Sequence, residues 1–255
     1  MCYHGFGHGV LAFLDYDFPD AVQFCSKVGT KEYHEREYIE CAGGVVMEMV
    51  SGVHDPATWE EKKKKFLPDD DPLSLCRKGF IPEEVRPICY TYITPQLFLA
   101  VGGDLGNPTP EAFNKIFDLC SEIPTSDGEN RLACFASLGK EFIAFVQERD
   151  IRNTEKLDYE QLSTIYTWCT LADEYDAIGA CMISALNSIY WGGENNRAVS
   201  ERFCSIVSDP KHKESCYSRL IENVDYYIDD ITYRSAFCSE LPPENQPLCK
   251  QRLLQ

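Results

Sequence analysis

The sequence has no long hydrophobic run and few basic residues. No stretch approaches the roughly 20 apolar residues that a membrane-spanning helix needs. Lysine and arginine number 24 against 41 aspartates and glutamates, and the formal net charge is −17. Because nucleic acids and anionic lipid surfaces both require a cationic face, we expect no nucleic-acid binding and no membrane insertion. The charge is compatible with cationic ligands, with metal ions, or with solubility alone.

Recognisable catalytic motifs are also missing. There is no GxSxG motif around a serine nucleophile and no CxxCH motif for haem attachment. The short Cys-x2–4-Cys spacing of structural zinc sites does not occur either. No catalytic residue can be assigned, so we expect a binding protein rather than an enzyme, and we predict no obligatory cofactor.

Cysteine, in contrast, is abundant, with 13 residues in a chain of 255. Twelve of them form consecutive pairs separated by 11 to 16 positions. Since no other regular pairing fits this pattern, we predict six sequential disulfides, which would place the protein in an oxidising, extracytoplasmic compartment: secreted, periplasmic or on the cell surface. The predicted pairs are Cys25–Cys41, Cys76–Cys89, Cys120–Cys134, Cys169–Cys181, Cys204–Cys216 and Cys238–Cys249.

A helical pattern surrounds each cysteine pair. After the second cysteine, apolar residues recur at offsets of about 4, 8, 11 and 12 positions, which is one face of a helix with 3.6 residues per turn. The segment before the leading cysteine is also helical in pattern, as in TPEAFNKIFDLC, where Thr109 is the predicted N-cap and Pro110 follows it. Turn-forming segments such as IPTSDGEN and VSDPKH lie between the paired cysteines. Each unit is therefore predicted to be helix, turn, helix.

The repeat length points to a class of architecture. Leading cysteines recur at intervals of 51, 44, 49, 35 and 34 residues, and the last two match the 34-residue tetratricopeptide period. Over nearly its whole length the chain resembles a tetratricopeptide-like helical repeat, in period and helix pairing, although no specific family is identified. The resemblance implies one all-α domain over residues 1–255. We expect an α-solenoid of antiparallel helix pairs, each pair stapled by an intra-repeat disulfide.

Cys2 is the odd cysteine. It aligns with the second cysteine of a pair, and Phe6, Val10 and Phe13 continue the apolar face after it. Its partner would lie 11–16 residues upstream, so we expect Cys2 to be unpaired in this chain. Since MCYHGFGHGVLAFLDYD lacks the features of a secretory signal, we expect the natural protein to begin earlier, with a signal segment and a further helix. The alternative is a genuine start with a free thiol.

The segment CYHGFGHG has the densest chemical signal. His4 and His8 are four positions apart, so on a helix they share a face and could bind one ion, with zinc or copper suited to two imidazoles. Three glycines in the segment weaken a helix, and no third ligand lies nearby in sequence. Cys2 could add a thiolate, while His34 and Glu48 are candidates by residue type alone. The alternative is a pair of ordinary surface or interface histidines.

Two functions follow from these observations, and a third hypothesis is a hydrolase or other enzyme whose site the sequence does not reveal. The first is an extracytoplasmic helical-repeat scaffold that binds a peptide, protein or glycan partner through the solenoid surface. The alternative is a transition-metal-binding or metal-dependent protein that uses His4 and His8.

Overall fold

The computed structural model describes residues 2–68, 71–149, 151–192 and 197–254, and every regular element in these ranges is helical. The all-α prediction is therefore confirmed for this part of the chain. An isolated β-bridge joins Thr30 to Tyr33. The chain forms two compact units, Met1–Ser137 and Leu138–Gln255. The predicted single repeat domain over residues 1–255 stays a prediction.

The first unit contains seven of the described α-helices, and an eighth crosses into the second unit. Short 3-10 helices lie at Lys63–Lys65, Ser74–Arg77, Glu83–Val85 and Thr125–Asp127. The α-helices are α1 (Cys2–Phe13), α2 (Phe18–Cys25), α3 (Glu35–Ser51), α4 (Pro56–Lys62), α5 (Arg86–Tyr92), α6 (Thr94–Ala100), α7 (Pro110–Ser121) and α8 (Gly128–Val146).

The second unit continues from α8 with further helices. One 3-10 helix, Ile151–Lys156, precedes them. The α-helices are α9 (Tyr159–Cys169), α10 (Tyr175–Gly192), α11 (Arg197–Ile206), α12 (Pro210–Tyr227), α13 (Ile231–Glu240) and α14 (Gln246–Leu253). No helix in the described part of the chain combines the length and apolarity needed to cross a bilayer.

Side-chain caps begin many of these helices. The hydroxyl of Thr109 accepts a hydrogen bond from the backbone N–H of Ala112, and Pro110 occupies the first helical position of α7, as the sequence predicts. These caps satisfy N–H groups that have no partner within the helix. Aspartates do the same for α2, α4, α9, α12 and α13, namely Asp17, Asp55, Asp158, Asp209 and Asp230.

Six disulfides join the described helices, with the same partners that the cysteine spacing predicts. Their Cα–Cα distances are 5.4 to 5.6 Å, which lies within the ordinary range. All twelve cysteines are 0% exposed. The bonds are Cys25–Cys41, Cys76–Cys89, Cys120–Cys134, Cys169–Cys181, Cys204–Cys216 and Cys238–Cys249.

One predicted helix has a different form. The segment before Cys76 was expected to be a helix, but Cys76 lies in the short 3-10 helix Ser74–Arg77. Pro68 and Pro72 precede it. Because proline lacks a backbone N–H and restricts the residue before it, an α-helix cannot run through this segment to the cysteine.

The apolar faces predicted after each second cysteine contribute to the core through the positions at offsets 4 and 8. The predicted apolar residues at offsets 11 and 12 are half-buried or exposed instead, and after Cys2 the prediction is wrong at Phe6 and Phe13, which are 46% and 88% exposed. The residues four and eight positions after these cysteines are fully buried wherever the pattern places an apolar side chain. Burial of an apolar stripe stabilises these helices beyond their intrinsic propensity, although after Cys89 the stripe spans two short helices, α5 and α6. The buried positions are Val45, Met49, Ile93, Leu97, Leu138, Phe142, Ala185, Ile189, Leu220 and Val224.

Candidate functional site

Helix α1 lies against α3 at a close approach that glycine makes possible. A Cβ added at Gly7 would stand 2.0 Å from the carbonyl oxygen of Cys41, and one added at Gly44 would stand 2.0 Å from the carbonyl oxygen of His4. Real Cβ atoms essentially never come within 3.0 Å of such an atom. Any side chain at either position would therefore separate the two helices.

This approach brings His8 of α1 to Glu48 of α3. Nδ1 of His8 lies 2.9 Å from Oε2 of Glu48, and Nδ1 of His54 lies 2.8 Å from the same oxygen. The other carboxylate oxygen, Oε1, accepts hydrogen bonds from the Tyr16 hydroxyl at 2.7 Å and from the His54 backbone N–H at 2.9 Å. We name this group the His8–Glu48–His54 cluster.

The backbone after α3 returns His54 to the carboxylate. Gly52 ends the helix with a φ of 61°, a left-handed conformation that glycine adopts without steric cost, and its N–H bonds to the carbonyl of Glu48. The chain then turns, so His54 lies beside a residue six positions earlier. Tyr16 is similarly placed by a turn after α1, where its own φ is 59°.

The hydrogen bonds to Glu48 keep its carboxylate ionised. Burial alone would raise the pKa of Glu48, but the hydrogen bonds from His8, His54 and Tyr16 outweigh it and lower the pKa to about 2. Burial raises the pKa of Tyr16, and donation to the Glu48 carboxylate raises it further. At neutral pH the site therefore contains a carboxylate anion and a protonated phenol.

Access to the cluster is from one side. The Glu48 side chain is 0% exposed and the His8 side chain is 13% exposed. The His54 side chain, in contrast, is 50% exposed. An ion or small molecule from solvent would therefore reach the carboxylate past His54.

His4 and His8 lie close together on α1, but only His8 belongs to the cluster. The two rings have centroids 5.1 Å apart, while Nδ1 of His4 lies 3.7 Å from Oε2 of Glu40. Among the described residues, His8, Glu48 and His54 are the group whose ligand atoms all lie within 4.8 Å of one another. The predicted His4/His8 metal pair stays a prediction.

The other candidate ligands lie elsewhere or outside the described atoms. Nδ1 of His34 is 3.7 Å from Oε1 of Glu37, at the start of α3. Cys2 begins α1, and its side chain lies outside the described part of the structure. Its predicted unpaired state therefore stays a prediction.

The sequence did not predict His54, although one signal points toward the cluster. Glu48 is the one carboxylate in the apolar run AGGVVMEMV, and a carboxylate on a buried face needs hydrogen-bond partners. The partner could not be chosen without the turn at Gly52, because His54 follows the helix and is outside its periodic pattern.

A second surface feature lies on α9 in the other unit. A shallow depression of about 320 Å³ is lined by residues of this helix, and one of them, Tyr159, is 66% exposed. Aromatic rings beside hydroxyl and carboxylate groups are typical of surfaces that bind other molecules. The lining residues are Tyr159, Glu160, Ser163, Thr164, Thr167 and Trp168.

No protein-family model matches the chain, and no curated protein or solved structure matches it at a significant level. The tetratricopeptide-like resemblance therefore stays a prediction from the repeat period.

Proposed function

We propose that the protein is an extracytoplasmic helical-repeat scaffold that binds a protein, peptide or glycan partner through its surface. The observation that supports this most is the set of six buried disulfides, each linking a helical element to the next α-helix. Cytosolic thiols are kept reduced, so such a framework indicates an oxidising compartment. Each bond closes a loop of about a dozen residues, which adds roughly 3 kcal/mol of stability in the chain-entropy model.

We further propose the α-solenoid arrangement of antiparallel helix pairs. In repeat proteins each unit contacts its neighbours along the chain. Contacts between alternate helices support this within each unit: α1 contacts α3 and α3 contacts α5 in the first, while α10 contacts α12 and α12 contacts α14 in the second.

A recurring glycine contact supports the same proposal. In the second unit a Cβ added at Gly139 would stand 1.9 Å from the carbonyl oxygen of Cys181, as one at Gly7 would approach Cys41. Gly139 stands five positions after Cys134, the second cysteine of its pair. Gly7 stands five positions after Cys2, which aligns with such a cysteine. The repeated spacing favours a common packing of one repeat on the next.

The net charge and the groups lining the depression on α9 restrict the classes of partner. With a net charge of −17, the chain would repel nucleic acids and anionic lipids, which favours neutral or cationic partners. The depression on α9 offers aromatic, hydroxyl and carboxylate groups, which suits a peptide or a glycan.

Peptide and glycan arrays test this function. We expect the purified protein to bind at least one class of probe. Replacing Tyr159 by alanine should weaken that binding about tenfold or more, because exposed aromatic side chains contribute disproportionately to binding energy. Tyr33→Ala is the matched control, since Tyr33 is 70% exposed but lies in the first unit. Absence of binding to any peptide, protein or glycan probe would contradict the proposal.

A transition-metal-binding function is the second candidate. It is favoured by the proximity of the His4 and His8 rings on α1 and by the carboxylate beside His8. Zinc and copper are the ions that imidazole ligands suit.

A further inference from the structure

We propose that His8, Glu48 and His54 form a zinc site in the first unit. The inference rests on the second function above and changes its ligands, since Glu48 and His54 take the place of His4. Two imidazoles and one carboxylate are a donor set that binds zinc in proteins. The three residues come from α1, α3 and the segment after α3, so the site exists only in the folded chain.

The three ligand atoms lie within 4.8 Å of one another, and the two distances to the carboxylate are somewhat shorter than zinc requires. Nδ1 of His8 and Nδ1 of His54 both lie within 2.9 Å of Oε2 of Glu48. Ligand atoms about 2.0–2.2 Å from a tetrahedral zinc ion lie roughly 3.3–3.6 Å from one another. The imidazoles would therefore move outward from the carboxylate by a few tenths of an ångström. The half-exposed side chain of His54 has room for that movement.

The charge balance also favours a divalent cation. The Glu48 side chain is fully buried, and a carboxylate coordinates zinc as an anion, so its charge partly offsets that of the ion. On binding, a neutral imidazole moves its proton from Nδ1 to Nε2 and coordinates through Nδ1. One carboxylate and two neutral imidazoles would leave the occupied site with a single positive charge.

The remaining hydrogen bonds hold the carboxylate in place. The Tyr16 hydroxyl and the His54 backbone N–H both donate to Oε1, which leaves Oε2 directed at the two imidazoles. Hydrogen bonds of this kind orient metal ligands and tune their affinity. Three protein ligands leave the fourth zinc position to water or to an external ligand, which would enter past His54.

Zinc titration of the full chain tests the site. The protein would be treated with a chelator, its free thiols alkylated, and zinc chloride titrated into it by calorimetry. We expect one zinc ion per chain. His54→Ala should weaken binding at least tenfold, and it should be tolerated because the side chain is half-exposed. Glu48→Gln should weaken binding similarly. His34→Ala is the control, because His34 is paired with Glu37 away from the cluster.

Cobalt substitution gives a second readout. Four-coordinate cobalt bound by nitrogen and oxygen should show visible absorption without a thiolate charge-transfer band, and His54→Ala should abolish it. Equal zinc affinity in the wild type and His54→Ala would overturn the site. Loss of binding in His4→Ala with retention in His54→Ala would overturn the site yet support the His4/His8 function. No zinc binding to the wild type would overturn both.

Discussion

Replacing Gly7 by alanine should lower the free energy of unfolding by about 3 kcal/mol, whereas replacing Gly5 in the same helix should raise it. The added methyl at Gly7 would stand 2.0 Å from the carbonyl oxygen of Cys41, so α1 must separate from α3. Overpacking of this kind costs roughly 1–3 kcal/mol, and a clash with backbone lies at the upper end. Urea denaturation followed by circular dichroism would measure the change.

Gly5→Ala is the matched control for this prediction. A Cβ at Gly5 would have nothing within 4 Å, and alanine is favoured over glycine in a helix by about 0.5–1 kcal/mol. The two substitutions make the same chemical change two positions apart, yet they should act in opposite directions. A stabilising effect of Gly7→Ala would show that α1 does not lie at this distance from α3.

The second large effect should follow from Glu48→Gln. Wild type and variant should differ by about 3 kcal/mol in unfolding free energy at pH 6, measured with a chelator present. The reason is that the pKa of Glu48 is about 2 in the folded protein against an ordinary value of 4.5, and each pKa unit corresponds to roughly 1.4 kcal/mol. Glutamine retains the shape of the side chain but cannot ionise.

The stabilisation that the Glu48 carboxylate provides should be lost as the pH falls. A carboxyl group whose pKa is lowered on folding stabilises the protein above its unfolded pKa, and this stabilisation is lost as the pH falls through the folded pKa. The difference between wild type and Glu48→Gln should therefore be largest above about pH 5 and nearly absent by pH 2. Glu61→Gln, at an exposed position, is the control. A difference that stays constant from pH 6 to pH 2 would contradict the lowered pKa.

The repeat pattern was predictable because it depends on short-range spacing. The predicted cysteine partners and the buried positions after each second cysteine follow from period alone, as at Val45 and Leu138. The departure at Cys76 comes from Pro68 and Pro72, whose effect on the preceding helix outweighs the repeat pattern.

Helix α1 forms although its intrinsic helix propensity is low. Its three glycines weaken an isolated helix, yet residues Cys2–Phe13 are helical. Gly7 is buried against α3, so the contact with the neighbouring helix outweighs the intrinsic preference. The same residue that weakens the helix by itself permits the close approach that brings His8 to Glu48.

The candidate site was only partly predictable. His8 could be selected because it pairs with His4 at helical spacing. Glu48 was a candidate by residue type, but nothing in the sequence placed it beside His8, because that contact depends on how α1 lies on α3. His54 depends on the left-handed conformation of Gly52, which redirects the chain after α3.

Disulfide mapping of the unreduced protein is the most direct test of a stapled helical-repeat scaffold. Proteolysis without reduction, followed by mass spectrometry, should give six linked peptide pairs that join each leading cysteine to the next cysteine in sequence. Cys204 should be found with Cys216, and Cys238 with Cys249. Links between cysteines of different repeats would contradict the architecture, and twelve free thiols in the protein from its natural compartment would contradict the extracytoplasmic assignment.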